Sequence, residues 1–315
     1  MKKHILLIDP LEKLSIKKDT SMLLASTLQK KGYEVYFLFE KDFYLINKNS
    51  PSLKLYPFKS SMYDDYYIKE VELLTPLELS ISKNDYLHMR LDPPFDARYL
   101  KYLWMLSFFE NLGVKVINSP IGIMKYNEKL FAYAQKSSLS SYVGASLEGF
   151  QKFVEINRDV EEFILKPLDL FQGIGVEKVS SKDPQINSIF LKKVSEFKGA
   201  VVAQPFYAQV KLGEIRSIFY DGVELGSILK RPKDGNFLAN IAQGASFEAI
   251  ELDQDIKNEC EKICHELSNE GVHWVAFDIM GKHISEVNIT CPGLLNEVGF
   301  AHQKNLALKL IELIR

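Results

Sequence analysis

The chain has 315 residues, 46% apolar and 25% charged, with a formal net charge of −2. Such a composition excludes disordered and fibrous classes and fits a globular protein with two or three lobes. With 39 basic against 41 acidic residues and no basic block, nucleic acid and anionic membrane surfaces are excluded as main partners.

Residues 4–8 (HILLI) read as a buried strand leaving at Asp9-Pro10. Lys2 and Lys3 before this run imitate a signal peptide only superficially, because Asp9 and Pro10 cut the apolar run short. A helix is predicted over Lys18–Lys31, capped by Asp19 or Thr20 and ended by Gly32. Glu34–Phe39 follows as a strand, so the chain opens with a β-α-β unit. The glycine fingerprint of a dinucleotide site is missing after Ile8, where the sequence runs DPLEKL. Residues 40–85 are polar, tyrosine-rich and weakly periodic, which predicts short strands and loops. Tyr86–Arg90 is the next strand; its continuation LDPPFD cannot be helical, and Asp96 is placed to cap a helix over Ala97–Leu112. With Val114–Asn118 as a further strand, the first lobe is an open α/β sheet of ordinary domain size.

A helix is expected over 127–140, then strand Glu162–Asp169, a loop at Leu170–Gly175 and strand Val176–Val179. A helix within 184–197 and strand Val201–Pro205 complete a small middle lobe. The last part contains a hairpin turning at Asp221-Gly222, a polar stretch Lys230–Ser246, and a helix reaching Asn269. In that helix Ile256, Cys260, Ile263, Cys264 and Leu267 follow helical spacing, so Cys260 and Cys264 read as core and not, with His265, as a metal site. Three cysteines, Cys291 among them, form no disulfide framework and point to a reducing compartment, with the cytoplasm as the default. A final helix is expected over Ala301–Arg315.

Before it, Val272–Met280 and Ile284–Ile289 read as a hairpin joined at Gly281-Lys282. Glu286 and Asn288 are two apart on a strand and leave the same face. Asp278 joins them if it pairs opposite Glu286, with Gly281, Lys282 and His283 as a three-residue loop; a tight two-residue turn sends it to the other face. Two carboxylates and an amide oxygen on one face suit a hard divalent cation that also holds phosphate oxygens. The competing reading is a solvated amphipathic hairpin.

Upstream stand two lysines. Lys129 opens a helix, and Lys166 leaves the apolar strand FILKP, where a lysine is expensive unless an anion meets it. Gly173 and Gly175 beside it have the freedom to turn backbone N–H groups toward phosphates. A snorkelling lysine and a plain hairpin turn explain Lys166 equally well. Glu214 and Arg216 share one face of a strand, and a guanidinium there suits charge that moves in phosphoryl transfer, although solvated Glu/Arg pairs are common on strands.

In this order the residues resemble the ATP-grasp superfamily, and within it the bacterial type of glutathione synthetase, along nearly the whole chain. In the first lobe the resemblance rests on IDPLEKLSIKKDTS, KGYEVYFL, DFYLIN and MRLDPPFD; in the middle lobe on NSPIGIMKYNEKLFA and ILKPLD. In the last part it rests on AQPF, GEIRSIFYDGVEL, NIAQG, VAFDIMG and SEVNITCP. It implies an ATP-grasp fold preceded by an open parallel-sheet lobe, divided as 1–122, 123–204 and 205–315. It further implies that Lys129 and Lys166 contact ATP phosphates, that Gln204 lines the adenine pocket and that Glu214 meets the ribose. Asp278, Glu286 and Asn288 would hold Mg²⁺, or Mn²⁺ in its place, and Arg216 would lie beside the transferred phosphoryl group. Lys18, Ser21 and Arg90 in the first lobe would face the acyl substrate, with Asn240 on the substrate-facing lid.

The implied reaction is ligation of γ-glutamylcysteine to glycine through an acyl phosphate, by a homo-oligomer with no nucleic-acid or membrane partner. Leu170–Gly175 and Lys230–Ser246 are the candidate lids that keep water from the intermediate. The phosphate loop is bulkier than the family's glycine-dense one, Leu238 and Leu91 stand where the family has cations, and GLLNEVGFAHQ diverges. These departures leave two alternatives: a ligase of the same chemistry with other substrates, or a nucleotide-binding protein with little ligase activity. Retention of Lys129, Lys166, Asp278, Glu286 and Asn288 argues against the second.

Overall fold

A computed structural model describes residues 2–171, 173–236 and 238–314. Gln172, within one candidate lid, Phe237, within the other, and Arg315, at the end of the last expected helix, lie outside the described residues.

The first lobe is a four-stranded parallel sheet in the order Glu34–Phe39, Lys3–Ile8, Tyr86–Arg90, Lys115–Ile117. Strand alternation sends Leu6 and Ile8 to one face, against helices Thr20–Lys30 and Leu306–Leu313, and Ile5 and Leu7 to the other, against helix Ala97–Asn111. Asp19 and Asp96 are the caps, accepting from Met22 N and Tyr99 N. Between the second and third strands in sequence, the tyrosine-rich segment folds into two antiparallel pairs, Ser52–Leu55 with Leu77–Ser80 and Phe58–Met62 with Ile68–Leu73. Asp9 and Arg90 therefore stand at the carboxyl ends of parallel strands, the edge at which open α/β sheets bind ligands.

The middle sheet is antiparallel, in the order Glu177–Ser180, Glu162–Pro167, Val201–Pro205, Tyr142–Gly144. Helices Leu147–Ile156 and Ile186–Glu196 cover one face, with Phe150 stacked on Phe190 at 4.3 Å. The opposite face of this sheet, carrying Ile164, Lys166 and Gln204, looks into the cavity described below.

The last sheet has five antiparallel strands: Ser246–Ala249, Val223–Arg231, Glu214–Tyr220, Trp274–Met280 and His283–Asn288. Helix Gln254–Ser268 packs beneath it with Cys260 and Cys264 buried and free, so these thiols serve the core. This sheet shares a core with the first lobe, where Ile218, Tyr220 and Trp274 join Leu6 and Ile8, and one buried amide adds polar ties. Asn118 donates to Trp274 O at 2.7 Å and Ile289 O at 2.9 Å, and accepts from His273 N and Trp274 N.

Two expected helices are shorter than the pattern suggests. The helix of 127–140 is only Glu128–Tyr133, because Ser137 turns to Glu259 and the Ser138 hydroxyl returns to Tyr133 O. The last helix, expected over Ala301–Arg315, is only Leu306–Leu313: a separate helix Leu295–Ala301 ends where it was to begin, Gln303 takes a left-handed conformation, and Asn305 caps the new start. Among the described residues no helix is long and apolar enough to cross a membrane.

Candidate active site

The final hairpin fulfils one of its two expected geometries by an unexpected route. Met280 pairs with His283, so the turn at Gly281-Lys282 is the tight one, with Gly281 at φ +61°. By itself that register would turn Asp278 away from Glu286. A bulge between Asp278 and Ile279 leaves Ser285 unpaired and restores Asp278 opposite Glu286, and the Ser285 hydroxyl donates to Asp278 O at 3.0 Å. The three-residue loop is corrected to a two-residue turn plus a bulge; Asp278, Glu286 and Asn288 share one face either way.

That face continues across the sheet. Arg216 is in register with Asp278, and Lys230 with Glu214. Arg216 makes a two-pronged contact with Asp278, Nε at 3.1 Å and Nη2 at 2.8 Å. Lys230 Nζ lies 2.9 Å from Asp278 and 2.8 Å from Glu214, and Asn288 Nδ2 adds a third donor to Asp278 at 3.1 Å. Burial pushes the Asp278 carboxyl up, but Arg216 and Lys230 overcome it and hold the group down at about 2. Burial raises Glu214 in spite of Lys230.

The two expected lysines arrive from the other side. Asn127 caps the short helix, so Lys129 projects toward the sheet and contacts Glu286 at 3.0 Å and Leu170 O at 2.8 Å. Its neighbour Glu128 is half-buried and accepts from Ile289 N, Thr290 N and the Thr290 hydroxyl at 2.7–2.9 Å. Burial and the nearby Glu286 raise the Glu128 carboxyl. Lys166 sits over the Tyr133 ring at 5.6 Å; burial depresses its ammonium, while Glu286, Glu214 and Asp278 pull the other way.

All these groups wall one cavity of about 830 Å³, in the range that accepts a nucleotide-sized ligand. Lys18, Arg90, Lys129, Lys166, Gly173, Gln204, Glu214, Arg216, Asn240, Asp278, Glu286 and Asn288 line it. Two expected residues do not. Ser21 is buried behind Arg90, accepting from its Nε at 3.0 Å, and Gly175 faces Phe197 and Pro167 instead of the cavity. Arg90 is further fixed by Pro292 O at 2.9 Å and by the Trp274 ring, 4.4 Å from its guanidinium carbon. Gln204 donates to Ser141 Oγ at 2.7 Å, which orients its amide. Asn240 caps a short turn through Ala242 N. Over the mouth the two candidate lids touch: a Cβ on Gly173 would lie 3.1 Å from a Leu238 methyl.

Lys230 and Glu128 escaped the sequence reading. Lys230 is one of two adjacent cations in SILKR, and only the count from the Asp221-Gly222 turn, across the irregularity at Ile218/Phe219, decides which one faces inward. Glu128 reads as an ordinary first-turn acid.

The donor set suits Mg²⁺. Among the described residues no three His, Cys, Asp or Glu side chains gather as an all-protein metal cage. Mg²⁺ at a nucleotide site takes one or two carboxylates and completes its shell with phosphates and water, so Asp278, Glu286 and Asn288 match that habit.

Residues 2–123 match the N-terminal domain of prokaryotic glutathione synthetase, and residues 128–303 match its ATP-grasp domain. A glutathione synthetase of Wigglesworthia glossinidia brevipalpis is 30% identical over 98% of this chain and 96% of its own length. One from Escherichia coli is 28% identical over 93% of this chain and 91% of its own. Among solved structures, the D-cycloserine synthetase DcsG superposes with a TM-score of 0.69 at 14% identity over 99% of this chain and all of that one. The ATP-grasp ligase PsnB with its minimal precursor gives 0.60 at 16% identity, over 100% and 99% of the two chains. These two likenesses establish the fold.

Proposed function

The chain belongs to the prokaryotic glutathione synthetase family, and from that premise we propose that it is an ATP- and Mg²⁺-dependent carboxylate–amine ligase joining γ-glutamylcysteine to glycine. The single observation that carries this reading is the meeting of Lys129 and Lys166 with the Asp278–Glu286–Asn288 face around one cavity. Work is divided among three lobes, 1–122 for the acyl substrate, 123–204 over the nucleotide and 205–315 for the metal-bearing face.

A carboxylate is a poor acyl donor, so ATP is first consumed to make an acyl phosphate, which the amine then attacks. Bound Mg²⁺ supplies neutralisation of phosphate charge, and Asp278, Glu286 and Asn288 are the residues that would hold it. Lys129 and Lys166 bring ammonium charge to the phosphates from the middle-lobe side. Desolvation lowers the basicity of half-buried Lys166, a cost that a phosphate anion would offset. Arg216 is locked in plane by Asp278, which aims its guanidinium at the group being transferred. Gln204, held by Ser141, and Glu214 line the base and ribose end of the pocket. Arg90, fixed by Ser21 and Pro292, faces the acyl substrate with Lys18, and Asn240 sits on the lid beside Leu238 and Gly173. The lid contact excludes water, which would otherwise hydrolyse the acyl phosphate. A homo-oligomer in the cytoplasm completes the reading.

The test is phosphate release from ATP with Mg²⁺, γ-glutamylcysteine and glycine. Release that requires both substrates is expected. Release only with other dipeptide acids or amines would replace the substrate assignment. Nucleotide-induced thermal stabilisation without turnover would reduce the protein to a binding module.

A further inference from the structure

An amine that attacks an acyl phosphate must first lose a proton, since amino acids carry an ammonium group at neutral pH. Most acids that line the cavity are already engaged. Asp278 holds Arg216 and Lys230, Glu214 holds Lys230, Glu286 meets Lys129, and Asp19 caps a helix. Glu128 lines the same cavity in a different state. Its Oε1 accepts from Ile289 N, Thr290 N and the Thr290 hydroxyl, and all three donors are neutral. Oε2 receives none of these bonds, so one oxygen is pinned while the other is left to take a proton. The pinned oxygen also fixes where the group stands. Ile289 and Thr290 directly follow Asn288, and two residues further on Pro292 O accepts from Arg90 Nη2. Glu128 therefore sits at the joint between the face that would hold Mg²⁺ and the wall formed by Arg90. An acyl carbon with phosphate on one side and the rest of its substrate on the other has to lie along that joint.

We propose that Glu128 is the general base that deprotonates the incoming amine. This rests on the ligase reading above and adds to it the residue that activates the second substrate. Glu128 Oε2 takes one proton from the ammonium nitrogen, and the freed lone pair bonds to the acyl carbon. The tetrahedral intermediate then breaks its C–O bond to phosphate, the departing phosphate takes the second nitrogen proton, and an amide remains. Glu128 gives its proton to water once product has left. Glu128 and Lys129 are consecutive at one helix start, so the Asn127 cap sets the base and a cavity cation together.

The test compares two nucleophiles, each with ATP, Mg²⁺ and γ-glutamylcysteine. Glycine arrives protonated, whereas hydroxylamine is mostly neutral at neutral pH and traps the acyl phosphate as a hydroxamate without a base. In Glu128→Gln, glycine-dependent phosphate release should fall roughly 10²- to 10⁴-fold, while hydroxamate formation stays within about threefold of wild type. The glutamine oxygen can still receive Ile289 N and Thr290 N, and cooperative thermal unfolding reports that the fold is kept. Glu128→Asp keeps a carboxylate and should lose less with glycine than Glu128→Gln. A purely structural role would slow both nucleophiles alike. Parallel losses with the two, or unchanged glycine turnover in folded Glu128→Gln, would overturn the base. If Glu128→Gln does not fold, a glycine-to-hydroxylamine rate ratio in Glu128→Asp equal to that of wild type overturns it instead. Wild-type protein that makes neither product removes the ligase assignment, whereas wild-type turnover with unselective losses in the variants removes only the base.

Discussion

Asp278 and Glu297 are both acids buried in the wall of one cavity, and Arg216 acts on each, but their hydrogen bonding differs. Asp278 is met by Arg216, Lys230 and Asn288 at 2.8–3.1 Å. Glu297 presents an oxygen with no hydrogen-bond partner among the described residues. A paired buried acid is a structural commitment: its charge is fixed and its neighbours are aimed by it. An unpaired one is a vacancy in the chemical sense, costly until something cationic arrives. The same residue class thus stands in two settings within one cavity wall, and the hydrogen bonds each acid receives distinguish them.

The largest effect that would sharpen this contrast is on turnover. Glu286→Gln removes a carboxylate from the face proposed to hold Mg²⁺, and phosphate release should drop by roughly 10³-fold while cooperative unfolding persists. Turnover near the wild-type rate would detach the metal role from this face. Next comes stability. Asp278→Asn strands Arg216 and weakens Lys230, and should cost about 3–5 kcal/mol in urea unfolding. Glu297→Gln removes a charge whose Oε2 has no hydrogen-bond partner among the described residues, so its change should stay within about 1 kcal/mol of wild type or stabilise. Equal losses in the two variants would erase the distinction.

A third prediction uses pH. Asp19 is raised from 3.8 to about 6 by burial, so its ionisation opposes folding above pH 6, and the opposition fades as pH falls toward 3.8. Asp278 is lowered from 3.8 to about 2, so its stabilisation is complete above 3.8 and is lost as pH falls toward 2. Asp19→Asn should therefore be more stable than wild type at pH 7–8 and converge with it near pH 4, whereas Asp278→Asn should be worse at neutral pH and converge only near pH 2. Denaturant midpoints across that range check both curves, and the difference between each variant and wild type cancels the buried histidines His4 and His88. The smallest effect concerns the lids. Gly173→Ala forces a left-handed backbone, φ +75°, and a methyl toward Leu238. A cost of about 1–2 kcal/mol should raise the nucleotide KM about five- to tenfold with little effect on global unfolding.

Much of this architecture was legible in the sequence, for identifiable reasons. Strand Tyr86–Arg90, strand Glu34–Phe39 and the Asp19 and Asp96 caps follow from alternation and capping chemistry, both local signals. The face carrying Glu286 and Asn288 follows from a two-residue period. What local signals could not supply was the bulge at Ser285, since sequence offers no count of unpaired residues in a hairpin. Nor could they show that Ser21 lies behind Arg90, that Lys230 rather than Arg231 turns inward, or that the Glu297 Oε2 finds no hydrogen-bond partner among the described residues. These depend on contacts between segments far apart in the chain, such as Thr20 with Leu295.

The single amide of Asn118 has a mechanical consequence. By gripping Trp274 and Ile289 through four hydrogen bonds, it splints the outer two strands of the last sheet to the parallel sheet. The sheet-bearing lobes at either end of the chain consequently travel as one chassis. Helix Glu128–Tyr133 belongs to the same chassis, since Glu128 accepts from Ile289 N and Thr290 N and Lys129 meets Glu286.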